Sequence, residues 1–173
     1  MSTTAMETVG TFCKRYGPGR LPGASRPAVG VGYAVATAAL AAAVAFVVLT
    51  GVQTLLVGGP LTVTGSLTYV GLFAIPLVVP AAFVSGAVAW RLLPESMSYR
   101  GPLVGLFATL LTYVVATVPV VAVLMIINPL ESVLYSGLFG LVVGFFGFFY
   151  TFWLTLPIGV ISGWIHERGV TGH

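Results

Sequence analysis

Apolar residues run in long unbroken blocks along this chain, and polar residues fall between the blocks. Four blocks stand out, roughly 28–57, 67–93, 103–127 and 137–165. Each exceeds the ~20 apolar residues that carry a helix across a hydrocarbon core. Helix breakers separate them: Gly58-Gly59-Pro60, then Pro94 to Gly101, then Asn128-Pro129. Period-2 alternation is absent, which argues against a transmembrane barrel. The pattern predicts an all-α integral membrane protein with four spanning helices. Residues 1–26 form an N-terminal tail, 27–168 the four-helix domain and 169–173 a short C-terminal tail.

The last span carries the most informative pattern. Gly137, Gly140, Gly144 and Gly147 fall within about 80° of one another on a helical wheel. Gly159 and Gly163 continue the same side, while Phe146, Phe149, Tyr150 and Trp153 take the other. In a bilayer, helices gain by close contact through small residues, because lipid already solvates apolar side chains. These glycines therefore read as a helix-packing face. The first span, rich in alanine and carrying Gly30 and Gly32, is its expected partner. If Gly140 and Gly144 pack within the chain, the bundle is self-contained. If they face outward, a partner or a second copy is implied.

Composition reinforces the membrane assignment. The 173 residues are 58% hydrophobic and only 6% charged, whereas a soluble domain carries about 25% charge. Mean hydropathy is +1.06. The seven basic residues flank alternate ends of the spans: Lys14, Arg15, Arg20 and Arg26 before the first, Arg91 and Arg100 between the second and third, Arg168 after the fourth. The other two loops hold no Lys or Arg. The positive-inside rule then predicts both termini in the cytoplasm of a plasma membrane. The bases are spread along one membrane face, which excludes nucleic acid as the expected partner. The lone Cys13 permits no internal disulfide. Residues 1–26 lack the apolar core of a signal peptide, so the first span is expected to serve as the insertion signal. The preference for Arg over Lys, with abundant Ala, Val and Gly, points to a GC-rich prokaryotic genome.

The chain also repeats itself. Pro80, Ser85, Gly86 and Arg91 match Pro157, Ser162, Gly163 and Arg168 at an offset of 77. Pro27, Val29, Gly30 and Thr37 match Pro102, Val104, Gly105 and Thr112 at an offset of 75. This predicts two similar helical hairpins related by an axis along the membrane normal. The matching prolines would face each other near the midplane, about 16 Å from their arginines.

Candidate chemistry is sparse. No charged residue lies deep in a span, which weighs against a proton- or ion-coupled machine. His166 and His173 lack neighbours at metal-ligand spacing. Ser85 and Ser162 have no evident base, so no catalytic group, cofactor or metal site is predicted and the chain reads as a non-enzyme. Pro80, Pro119 and Pro157 are candidate hinges. Arg91 and Arg168 are candidate contacts for a lipid headgroup, with a topogenic role as the simpler account. Thr109, Thr112, Thr117, Thr151 and Thr155 either line a weakly polar cavity or bond back to their own helices. Two functions remain in view. One is a non-catalytic accessory, assembly or scaffold component, with a homo-oligomer or another membrane protein as partner besides the lipid bilayer. The other is a small oligomeric transporter or channel for a neutral or lipid-like solute.

Overall fold

The computed structural model describes residues 21–57, 63–94, 97, 99–127 and 132–171. Expectations for Cys13, the Gly58-Gly59-Pro60 breaker, Asn128-Pro129 and His173 lie outside those residues. Four helices account for nearly all of it: α1 (Pro27–Val57), α2 (Val63–Leu92), α3 (Arg100–Ile127) and α4 (Val133–Thr171). All four are long and apolar enough to cross a membrane. A helix is the economical choice there, because each backbone N–H and C=O is satisfied within the segment.

The ends of the helices follow local chemistry. Before α1, Ala24 N–H bonds Leu21 O at 3.0 Å and Arg26 N–H bonds Gly23 O at 2.9 Å. That turn uses a left-handed Gly23, φ 78°. Pro27 opens α1 where no N–H is needed. Helix α3 begins earlier than the expected 103, at Arg100, and Pro102 still falls in its first turn. Helix α4 is the longest at 39 residues and overruns the expected 137–165 at both ends. Prolines 76, 80, 119 and 157 lie inside helices that run continuously through them.

Successive helices are antiparallel. Helix α1 packs along α2, and α3 along α4. The two hairpins meet through α2 against α3 and α1 against α4, with α1 and α3 touching across the diagonal. Among the described residues, α2 and α4 make no close backbone approach. The start of α1, the α2–α3 connection and the end of α4 share one end of the bundle. We call it the basic end, after Arg26, Arg91, Arg100 and Arg168.

The core consists of small side chains. Val31, Val35, Ala82, Ala89, Val104 and Ala108 form its buried cluster, and the largest fully buried side chains are Val31, Val104 and Ser85. The large residues point outward: Phe73 is 74% exposed and Phe149 59%. A protein folded by water would reverse this order. Close helix contact in lipid produces it, since small residues bring backbones together and large ones lose nothing by facing hydrocarbon.

Candidate functional site

The bundle differs from end to end. In the basic half, glycines remove the space between helices. A Cβ on Gly105 would run into Gly159 O, and one on Gly163 into Gly101 O. One on Gly86 would lie 2.9 Å from Val35 Cγ2, and one on Gly32 2.9 Å from Phe83 O. Gly30 faces Ala24 O and His166 of α4. The hydroxyl of Ser162 adds a cross-link, donating to Ala34 O of α1 at 3.1 Å.

The rim of this half is closed by Arg100. Its Nη2 donates to Trp90 O at 2.8 Å, and its guanidinium lies 4.0 Å from the centre of the Trp90 ring. Trp90 O belongs to the last turn of α2, whose carbonyls lack helical partners, so Arg100 caps α2 from the start of α3. His166 meets Trp90 edge-on at 5.7 Å. Sequence reasoning had no separate role for Arg100. Its signal was a basic residue at a helix start after a tight turn, where Tyr99 adopts φ 67°.

Away from the basic end the helices part, and a cavity of about 500 Å³ opens between all four. Helix α1 contributes Val35 to Phe46, mostly through alanines. Helix α2 contributes Leu67 to Val78, α3 Thr109 to Val120, and α4 Phe139 to Gly159. Among the described residues, no charged side chain lines it. Phe139, Val142, Phe146 and Tyr150 of α4 line the cavity and are also exposed, so the space communicates with the surface along α4.

Its polar content is seven hydroxyls, and the five threonines among them are occupied. Thr109, Thr112, Thr117, Thr151 and Thr155 all line the cavity. Each lies 2.7 to 3.1 Å from a carbonyl one turn earlier. The two roles expected as alternatives therefore coincide. Tyr113 OH lies 2.6 Å from Thr151 Oγ1 and 2.7 Å from Thr155 Oγ1. Three hydroxyl protons serve four contacts here. The arrangement that fills the short ones runs from Thr155 through Tyr113 and Thr151 to Gly147 O, leaving the 3.1 Å contact of Thr155 with its own helix unfilled. This ladder ties α3 to α4 and uses all three of its own donors, which leaves Tyr150 at the exposed flank as the lining hydroxyl without a hydrogen bond among the described residues.

The singled-out residues distribute as follows. Gly140 and Gly144 pack within the chain, against Val121 and Thr117 of α3. Gly159 and Gly163 also pack on α3, so that helix, and not α1 as expected, is the main partner of the α4 glycines. Gly137 and Gly147 have nothing within 4 Å of a Cβ position, and Gly147 lines the cavity. Pro80 and Pro157 are exposed and Pro119 is half-buried. None of the three lines the cavity, so the prolines do not face one another across its centre. Arg91 and Arg168 are exposed and end the two helices whose backbones do not come close; Arg168 stacks 4.3 Å over Trp164.

Fold and site together define an all-α, four-helix protein of membrane type with a side-opening apolar cavity. No protein-family model matches the chain, and no curated protein or solved structure matches it either.

Proposed function

We propose that this chain is a plasma-membrane protein that holds a neutral, apolar molecule inside the bilayer and passes it on. In this reading both termini are cytoplasmic, the basic end faces the cytoplasm, and the chain consists of two parallel hairpin repeats. The observation that carries it is the uncharged cavity of about 500 Å³ shared by all four helices. That volume falls in the ~300–1,000 Å³ range of small-molecule sites. Six of its seven hydroxyls are already bonded, so affinity comes mainly from apolar contact and a charged ligand is excluded by desolvation. No chemical step is assigned to it.

The test is transport or exchange in reconstituted vesicles, over a panel of neutral solutes and fluorescent lipids. Faster movement than in protein-free vesicles is expected, with a changed rate in Pro80→Ala and Pro157→Ala if those prolines act as hinges. No movement of any member of the panel sinks the proposal.

A second reading, an accessory or scaffold subunit, keeps one specific support. Helix α4 presents an aromatic row through Phe145, Phe149 and Phe152, and Gly137 has open space beside it. Native mass spectrometry from the source membrane separates the two. A reproducible second polypeptide favours the scaffold. The packing of Gly140 and Gly144 inside the chain favours the self-contained bundle.

A further inference from the structure

We propose that the hollow half of the bundle receives a hydrocarbon tail of a membrane lipid, which enters sideways along α4. This rests on the reading of the cavity as the place where an apolar molecule is held, and it names the molecule.

Three observations carry it. The first is length. The lining runs Val35–Phe46, Leu67–Val78 and Thr109–Val120 each span about 16 Å at ~1.5 Å per residue, and the α4 run Phe139–Gly159 spans about 30 Å. The hydrocarbon core is about 30 Å thick, so one leaflet's tails reach about 15 Å. Three walls thus match the reach of one tail, and the α4 wall, along which the cavity opens sideways, runs the full depth of the core. The second is chemistry. The lining is apolar and uncharged, and the Tyr113–Thr151–Thr155 ladder is closed on itself. A polar ligand finds only the Tyr150 hydroxyl at the opening, and water has little to hold it inside. The third is access. Towards the basic end, the Gly105–Gly159 and Gly101–Gly163 crossings leave no passage between α3 and α4. Phe139, Phe146 and Tyr150, by contrast, line the cavity and remain 45%, 55% and 49% exposed. In a bilayer that flank is covered by lipid, so the nearest molecule at the opening is a lipid tail.

The experiment uses the full chain in phosphatidylcholine vesicles doped with a phosphatidylcholine bearing a diazirine midway along one acyl chain. After irradiation, adducts are mapped by peptide mass spectrometry. Labelling is expected on Ala39, Ala43 and Gly144 inside the cavity as well as on outward Phe149. Gly147→Leu places a side chain where nothing lies within 4 Å, so it fills space without a clash. It should lower the internal labelling severalfold and leave Phe149 unchanged. Ala43→Leu, from the opposite wall, should do the same. Labelling confined to outward residues overturns the proposal. So does internal labelling that neither variant reduces while both keep the parent melting temperature. The tail site and the transport reading fail separately. Internal labelling without movement of any solute leaves the tail site standing alone; movement without internal labelling leaves only transport.

Discussion

The two halves of this bundle are made from the same kinds of residue and behave in opposite ways. In the basic half, Gly32, Gly86, Gly105, Gly159 and Gly163 each stand where a Cβ would strike a neighbouring helix. In the far half, Gly147 stands in open space and alanines of α1 look across a cavity. Small residues are therefore not a packing signal by themselves. Opposed across an interface, they let backbones touch. Facing one another with the helices held apart, they leave a void. Within each hairpin the far half still packs closely: Phe46 lies against Gly71 of α2, and Val121 against Gly140.

The largest effect expected separates the halves directly. Gly105→Val forces a branched side chain onto Gly159 O and should cost about 3 kcal/mol, seen as a lowered melting temperature in detergent. Gly147→Ala, with no atom within 4 Å, should be neutral or stabilising by up to ~1 kcal/mol through helix propensity. Equal losses at both positions would erase the distinction between a packed and a hollow half. Next in size is Arg100→Leu, which uncaps α2 and removes the stack on Trp90. About 1.5 kcal/mol is expected, the low end for a charge-assisted bond because the guanidinium is only partly buried. Gln53→Leu near the far end of α1, an exposed position, should change the melting temperature little. If it costs as much as Arg100→Leu, the rim cap has no special standing.

How far the sequence revealed this depends on the kind of feature. The spans were legible because about 20 uninterrupted apolar residues have one cheap conformation in lipid. The spacing put Gly159 and Gly163 on one side of α4. Their partner was not legible, since every face of α1 and α3 is apolar and a glycine stripe does not say which neighbour it meets. Gly137 and Gly147 share the stripe with Gly140 and Gly144 yet meet nothing, because contact needs an opposing helix at that height. The cavity was hinted at by five threonines but belongs to the distances between helices, which no single stretch encodes. Arg100 looked like any loop arginine until the turn at Tyr99 carried it back onto Trp90.

A smaller effect tests the boundary between the halves. Tyr113→Phe removes the central hydroxyl of the ladder at the cavity wall. Thr151 retains its own carbonyl and Thr155 turns back to its own, so the loss should be about 1 kcal/mol, between the ~0.6 average and ~1.7 maximum for such bonds in lipid. Thermal unfolding of the variant checks it. A loss as large as that of Gly105→Val would mean that the ladder, not the glycine crossing, holds α3 to α4.

The smallest effect concerns what holds the packed half. Ser85 and Ser162 are counterparts in the proposed repeat, yet they sit differently. Ser162 donates to Ala34 O, whereas the Ser85 hydroxyl is fully buried with no hydrogen-bond partner among the described residues. Burying a hydroxyl unmet costs about 1–3 kcal/mol, and the chain tolerates that cost where the helices are closest. Removing it relieves the penalty but leaves a void the size of one oxygen, which takes part of the gain back. Ser85→Ala should therefore raise stability by roughly 0.5 kcal/mol, while Ser162→Ala lowers it by about 0.6 kcal/mol. Opposite signs in paired melting curves mean that close packing sets the geometry of this half and that hydroxyls bond where it allows. A loss in both variants would mean that Ser85 has a polar partner, and the packed half would then rest on hydrogen bonds as much as on its glycines.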